Sequence, residues 1–508
     1  MIELAELKKF ARAASEIVRR DREIAQFEIY CASREHRIAR LNYTSEIPSR
    51  GVEEFKSLDA DGFQIRVAMR RDPHENGFAF DAADLNLDAV RSVLARAHRA
   101  TVVDPHFPGY PGPSAAIARS ANFKSASDLA RASDRQLAAA AWATIRGALT
   151  AFARSGAAPE SEPGLVIGGD ISILSDRIAI AGSNFDGVRG DEGAHFSSSV
   201  TALVESLGAK GTAFAIGRSR AEMQRAAVSL GRDSVSRALT LKHGARPASG
   251  KYRVMLGPQP IAEILNYMVM GSLTTGAFHA ASSAYHARFG AQVMDERLSL
   301  FDDPAMRRGA VNRSITCEGL PARRVDLIRK GKLVGLLSNF YDSHRLASDE
   351  DRAGKLGPRA DPDTTFAPSS GYRLGEGGGR RFDAHPGSAG TNVVMRPRRG
   401  VPDRELTRAV GDGIYVGRVW YTYPINGQRA GDFTCTVTGD SYLIRDGKIG
   451  QPLAPNCLRI NANIAQIFDA PVAAGSKLSP AVVWGSPEAY YVPSLVADGI
   501  SLAAIGLG

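Results

Sequence analysis

A carboxylate on an apolar helix, ten histidines and four cysteines are the groups in this 508-residue chain that could do chemistry. Glu263 lies in the run from Val254 to Gly271, which reads as a strand, a Gly-Pro turn and an apolar helix. A glutamate so placed polarises an attacking water only where a metal holds that water. Without ligands beside it, a carboxyl hydrogen-bonded in its own cavity is the expected role. The nearest imidazoles, His279 and His286, are seven residues apart, about 10 Å along an ideal helix. Zinc ligands converge on one point, so both are expected to be structural. His74 and Glu75 have no second histidine four or five residues on, and read as a turn.

Cys31, Cys317, Cys435 and Cys457 form no CxxC pair, which argues against a disulfide framework or a zinc ribbon. Cys435 falls on a period-two strand between Ala430 and Gly439. A nucleophilic thiol needs a base or a cation beside it. None is readable, so a buried strand cysteine is expected there and at the other three positions. No nucleophile elbow, P-loop or dinucleotide fingerprint stands between a strand and a helix. The glycines from Gly375 to Gly379 lie in an irregular stretch.

The elements that must position these groups fall into three expected units. Residues 1–110 carry an amphipathic helix near 1–19, three period-two strands between 25 and 70, and a helix capped by Asp84 to Asp88, together an α/β sheet layer. A proline-rich linker runs from Asp104 to Pro113. Residues 120–245 read as a middle α/β unit. It has an alanine-rich helix from Asp134 to Arg154, four strand-like runs between Gly164 and Ile216, and a closing helix from Ser219 to Leu241. Residues 250–508 open with the Glu263 helix and then become mainly antiparallel β, with turns at Arg329, Ile425 and Arg445. Within this unit, 345–390 is dense in Gly, Pro, Asp and Arg and reads as a long surface loop. The expected fold class is α+β.

The net charge is +9 and charged residues make up 23% of the chain. Arginines number 51 and lysines 12, and they are scattered. No basic run with interleaved aromatics and no nucleic-acid-binding motif is present, so no nucleic-acid partner is expected. The first residues form a charged amphipathic helix rather than a leader, and no apolar run reaches about 18 residues, so no membrane span is expected and the cytoplasm is the expected compartment.

The Val254 to Gly271 stretch does not stand alone. Gly290 to Val293 and Leu300 to Pro304, Cys317 to Arg324, Leu327 to Leu333, Tyr442 to Ile449 and Ser183 to Gly187 follow the motif order of a known family. Over roughly 160–340 and 405–500 the chain resembles the TldD/PmbA (TldD/TldE) family of zinc peptidases. In its metal-bearing branch the helix carries His-Glu-x-x-x-His, and a cysteine ligand precedes a Val-Pro near the C-terminus. Here the matching positions read Ala262, Glu263 and Tyr267, and Trp484 stands at the cysteine position. The chain is therefore similar to the PmbA/TldE branch, which lacks the metal motif, and the run from Gly271 to Phe278 also looks like that branch.

The resemblance implies a dimer in which a TldD-like metal-bearing subunit supplies zinc, this chain holding no cofactor of its own. It implies a peptide substrate, with Glu263 as the retained catalytic-position residue. Tyr423, Asn426, Thr434 and Cys435, on the strand pair that borders the family's cavity, are candidate substrate contacts. Two other readings follow from the same residues. One is a homodimeric scaffold that binds a peptide or a biosynthetic intermediate without hydrolysing it. The other is a metallopeptidase with substituted ligands drawn from His279, His286, Cys435 or the 345–390 segment.

Overall fold

The computed structural model describes residues 1–508 except 46, 48–49, 83–84, 113–125, 156–163, 185, 206–208, 241–243, 376–377 and 507–508. Asp84 of the expected cap, Pro113 of the expected linker, Phe185 of the Ser183 to Gly187 element, and Glu376 and Gly377 thus lie outside the described residues.

The chain is α+β. Its first sheet is antiparallel throughout and runs in the order Val102–Val103, Glu75–Asp81, Lys56–Met69, Ile24–Thr44, Leu165–Gly182, Val188–Val204, Ala209–Gly217, with Gly51–Val52 beside Ile24–Thr44. The three strands expected between 25 and 70 merge into two long ones. The hydrophobic alternation lapses at Ser33 and Arg34, but both are buried, because this part of the sheet faces the rest of the protein rather than solvent. Strands of 1–110 and of 120–245 belong to this one sheet, since Glu28 to Thr44 pairs residue by residue with Val166 to Gly182. The linker region therefore joins two parts of a single sheet.

Four helices cover one face. Leu4–Val18 and Leu87–Arg99 bury Leu7, Phe10, Val90 and Val93 against Phe27, Ile29, Phe63 and Ile65. Asp134–Arg154 and Arg220–Thr240 bury Leu137, Ile145, Leu230 and Val235 against Ile167, Ile173 and Val200. The Asp134–Arg154 helix starts with a capping box made by Ser133 and Gln136. Gly231 makes the crossing of these two helices possible, because a Cβ there would lie 1.9 Å from the Thr144 carbonyl oxygen.

Residues from Gly250 onward build two further sheets. The larger is mixed, in the order Val419–Pro424, Asp432–Val437, Leu458–Asn463, Leu495–Ala504, Gly250–Leu256, Gly413–Val416, Tyr442–Arg445, Lys448–Pro452. The smaller runs Lys332–Leu333, Val325–Arg329, Leu298–Asp302, Asn392–Pro397, Ala489–Val492, Ser479–Ala481. Ile261, Leu265, Met268 and Val269 lie in the core between them, among Leu256, Met395, Val419 and Tyr490. The expected turns at 329–332 and 445–448 have positive φ at Lys330 and Gly331 and at Asp446 and Gly447, the conformation of tight hairpin turns.

The segment 345–390 departs from the surface loop expected on composition. It contains Arg352–Leu356 and the strand pair Gly371–Tyr372 with Gly387–Ser388, and Arg373 and Arg380 are fully buried. Arg380 bonds to Asp176 at 2.8 Å and to Asp191 at 2.6 Å, and Arg373 reaches Glu28 and, at 2.7 Å, Gln64. Arg313 adds two bonds to Asp176, at 3.1 and 3.0 Å. Its guanidinium fits only because residue 193 is glycine, where a Cβ would stand 2.0 Å from Nη1. Burial opposes ionisation of Asp176, but the two guanidiniums outweigh it and hold the carboxyl near 2. Arginine-rich composition here marks cations placed against buried carboxylates, not solvation.

Among the described residues no helix is long and apolar enough to cross a membrane.

Candidate functional site

Gly250–Leu256 lies inside the larger sheet, parallel to Gly413–Val416 and antiparallel to Leu495–Ala504. Gly257 ends the strand and Pro258 opens a helix, a position where the missing N–H costs nothing. The helix is α from Pro258 to Ile264, widens to a π turn over Leu265–Val269, and tightens to a 3-10 turn over Met270–Leu273. In a regular α-helix residues five apart point about 140° away from each other. A turn bonded i to i+5 brings such residues toward one face. Gln428 seals the widened turn, its amide donating to the Met268 carbonyl at 2.7 Å and standing 3.3 Å from that of Tyr267.

Glu263 is only 3% exposed. Gln259, one turn earlier, donates to its carboxylate at 2.9 Å. The Gln259 carbonyl in turn accepts the Val419 N–H at 3.0 Å, which fixes the amide's orientation. Burial pushes the Glu263 carboxyl up to about 7, against the opposing pull of Arg418 and the Gln259 bond. Burial likewise lowers Arg418, whose Nη1 has no hydrogen-bond partner among the described residues. Glu263 is thus a carboxyl that exchanges its proton near neutrality, held by an amide rather than aimed at an open solvent space.

Of the positions expected to match the family's metal ligands, two are in contact. The Tyr267 hydroxyl donates to the Trp484 carbonyl at 3.3 Å, and Ala262 is one residue before Glu263 on the same helix. Their side chains do not fit zinc. Ala262 offers no donor atom, the Trp484 indole has only an N–H, and the Tyr267 hydroxyl is engaged by a carbonyl. Among the described residues no group of three or more His, Cys, Asp or Glu side chains is placed to hold a metal ion. His279 has its Nδ1 2.7 Å from Asp349 Oδ2, and burial lowers both His279 and His286 below the usual imidazole range.

The four candidate substrate contacts lie on one strand pair and its turn, where Tyr423 pairs with Thr434, but they differ in exposure. Cys435 is buried, and burial together with the nearby Glu263 pushes its thiol far up, the Thr422 hydroxyl opposing. A thiol so held is not a nucleophile. Thr434, also buried, bonds the Ile460 carbonyl at 3.1 Å and Asn461 Oδ1 at 2.8 Å. Asn426 bonds Asp432 at 2.9 Å in the exposed hairpin turn. Tyr423 is exposed on Val419–Pro424, the edge strand of the larger sheet. The neighbouring Tyr421 is 72% exposed and adopts φ +56°, at a register shift between Trp420 and Tyr423. Trp420 lies 6.1 Å from Trp484, so an aromatic surface joins the strand edge to the ligand-equivalent position.

Sequence reading missed Gln259, Arg418 and the Asn266–Tyr490–Glu488 relay, in which the Tyr490 hydroxyl lies 2.9 Å from Asn266 Oδ1 and 3.2 Å from Glu488 Oε2. Gln259 was recoverable, because an amide four residues before a carboxylate faces it on a helix. Arg418, Asn266, Tyr490 and Glu488 converge only through the sheets, and no local pattern announces them.

The family profile described as the PmbA/TldA metallopeptidase C-terminal domain matches residues 249–504. The chain belongs to the TldD/PmbA family. The site just described falls wholly inside the matched part of this TldD/PmbA protein. No curated protein sequence matches the chain. Among solved structures it is similar to TldE from Thermococcus kodakarensis, with TM-score 0.76 and 14% identity over 97% of this chain and 99% of that one. It is also similar to a proposed modulator of DNA gyrase from Bacteroides thetaiotaomicron, with TM-score 0.74 and 16% identity over 98% and 99% of the two chains. At these identities the likeness is one of fold, and it extends over the whole chain.

Proposed function

We propose that this TldD/PmbA protein is the non-metal, TldE-like subunit of a two-chain peptidase. It shapes the cavity and holds small or unfolded peptides, while a TldD-like partner supplies the zinc and the hydrolytic water. The observation that carries the reading is the ligand-equivalent cluster. The helix and the buried glutamate are present, whereas Ala262, Tyr267 and Trp484 offer zinc no workable donor set. No hydrolytic step is assigned to this chain's own residues.

Peptide would lie along the edge strand Val419–Pro424, adding a strand to the sheet through main-chain bonds, with Tyr421, Tyr423 and Trp484 as exposed side-chain contacts. The test is reconstitution. The chain is purified alone and together with a family member bearing intact His-Glu-x-x-x-His, and cleavage of an unstructured peptide is followed by mass spectrometry. Cleavage only by the mixture, with co-elution of the two chains, is the expected result. Cleavage by this chain alone defeats the reading. Peptide capture with no co-eluting partner and no cleavage in the mixture makes it a binding scaffold instead.

A further inference from the structure

A cavity of about 620 Å³ lies between the first sheet and the loop from Val482 to Glu488. Its floor follows from strand register. His36 pairs with Leu174 and Leu174 with His195; one step along, Ile38, Ser172 and Ser197 align; two steps along, Arg40, Asp170 and Ser199. Side chains two apart on a strand share a face. This face therefore presents two imidazoles, a row of serine hydroxyls and the Asp170 carboxylate to one space. Across from them stands Trp484, 70% exposed.

The charge of this lining runs against that of the protein. The chain carries +9, yet the described lining residues include no lysine or arginine and two acids, Asp170 and Glu488. Glu488 is engaged by Ser486 at 2.7 Å and by the Gly390 N–H at 3.2 Å. Among the described residues Asp170 has no such hydrogen-bond partner. Arg40 pulls its carboxyl down, but burial outweighs that pull and holds it above the usual range, so its charge is under-compensated. Arg40 itself extends to Glu53, 3.9 Å away. The guanidiniums behind the imidazoles are committed elsewhere. Arg34 donates to the Gly378 carbonyl and Arg313 to Asp176. Burial, helped by Arg34 at His36 and by Arg313 at His195, holds both imidazoles near 4. At neutral pH each ring is uncharged and offers a lone pair.

We propose that this cavity is a subsite for the positively charged group of a bound peptide, with Asp170 as its counter-charge and the Trp484 indole as its aromatic wall. A carboxylate, neutral imidazole acceptors, hydroxyls and an indole face are the groups that stabilise an ammonium or guanidinium out of bulk water. An anion entering the same space would meet Asp170, whose neighbouring cation Arg40 is drawn toward Glu53. The volume suits a side chain or chain terminus with room for ordered water. The assignment deepens the peptide-holding reading and rests on it for the rest of the peptide. The cation comes from a lysine or arginine side chain or from the peptide's α-amino group.

The test uses the full chain and small probes that need no strand-edge contact. Binding of Nα-acetyl-lysine methylamide, norleucine methylamide with a free α-amino group, and Nα-acetyl-norleucine methylamide is followed by tryptophan fluorescence and calorimetry. At least one cationic probe is expected to bind about tenfold or more tightly than the neutral one, and which of the two does so identifies the source of the charge. Asp170→Asn should abolish the preference. Ser199→Lys, which places an ammonium opposite Asp170, should block the cationic probe while thermal unfolding shows the variant folded. Equal binding of all three probes, or a preference that survives both substitutions, overturns the subsite. Hexapeptides tested in parallel separate the two readings. If they bind without regard to charge, only the subsite falls. If the lysine probe binds and no hexapeptide does, the peptide-holding reading falls and a small-cation site remains.

Discussion

The hydroxyl of Tyr267 donates to the carbonyl of Trp484 across 3.3 Å, joining the core helix to a loop 217 residues further along the chain. By motif order, both are expected to match ligand positions of the family's metal-bearing branch. The expectation that these positions have lost a family metal site supports a direct experiment.

Substituting Ala262→His, Tyr267→His and Trp484→Cys together should create zinc affinity, because Tyr267 already reaches the Trp484 backbone and Ala262 lies shortly before Tyr267 on the same helix. Metal content by mass spectrometry is expected to stay far below one zinc per chain in the unaltered protein and to approach one in the triple variant. Near-stoichiometric zinc in the unaltered chain would mean that other residues hold a metal.

Glu263 predicts a pH dependence of stability. Its ordinary value of 4.5 rises to about 7 on folding, so the folded state holds the proton more tightly than the unfolded state does. That contribution is full below pH 4.5 and is lost as pH climbs through 7, a change of about 3 kcal/mol. Asp302 and Glu318, both pushed up to about 7 by burial, act with the same sign. Glu263→Gln removes its share alone. Its denaturation midpoint relative to the unaltered chain should improve steadily between pH 4.5 and 7.5. Midpoints that move in parallel would show Glu263 to be ionised in the folded state.

Asp176 receives two arginines from the far side of the interface, Arg313 and Arg380. Asp176→Ala leaves Arg313 buried without its carboxylate and Arg380 with Asp191 alone, a loss of about 3–5 kcal/mol. A clear fall in melting temperature is expected. Arg380→Met added to Asp176→Ala should cost much less than it does alone, because the two changes share one network. Additive losses in the double-mutant cycle would remove the network from the account.

Gly193→Ala tests the same interface sterically. The new methyl must displace the Arg313 guanidinium, which it would approach to 2.0 Å. Destabilisation by roughly 1–3 kcal/mol is expected from the strain and the weakened pair. Gly187→Ala, where nothing lies within 4 Å but φ is +71°, controls for backbone strain alone.

Much of the fold was legible because its signals are local. The Asp134–Arg154 helix begins at a Ser-Asp cap and ends as its periodicity does, and the hairpin turns carry glycine where φ is positive. Tyr267 and Trp484, singled out by motif order, are joined by a hydrogen bond. What sequence could not convey depends on distant partners. Ser33 and Arg34 broke an alternation because their environment is another part of the protein, and Arg373 and Arg380 read as solvated for the same reason. The π turn was also hidden, since its widened bonding is stabilised by Gln428, 160 residues away from Met268.

The bond between Glu28 and Arg373 spans 345 residues. At ribosomal speeds of about 5–20 residues per second, the strand carrying Glu28 leaves the ribosome tens of seconds before its arginine exists. Through that interval Glu28, joined later by Asp176, is a carboxylate on a sheet face whose cover is still unmade, and water must fill the place of the guanidiniums. Completion of this protein is thus timed by its C-terminal half, and a nascent chain stalled before residue 380 would carry a polar, hydrated seam where the finished molecule is dry.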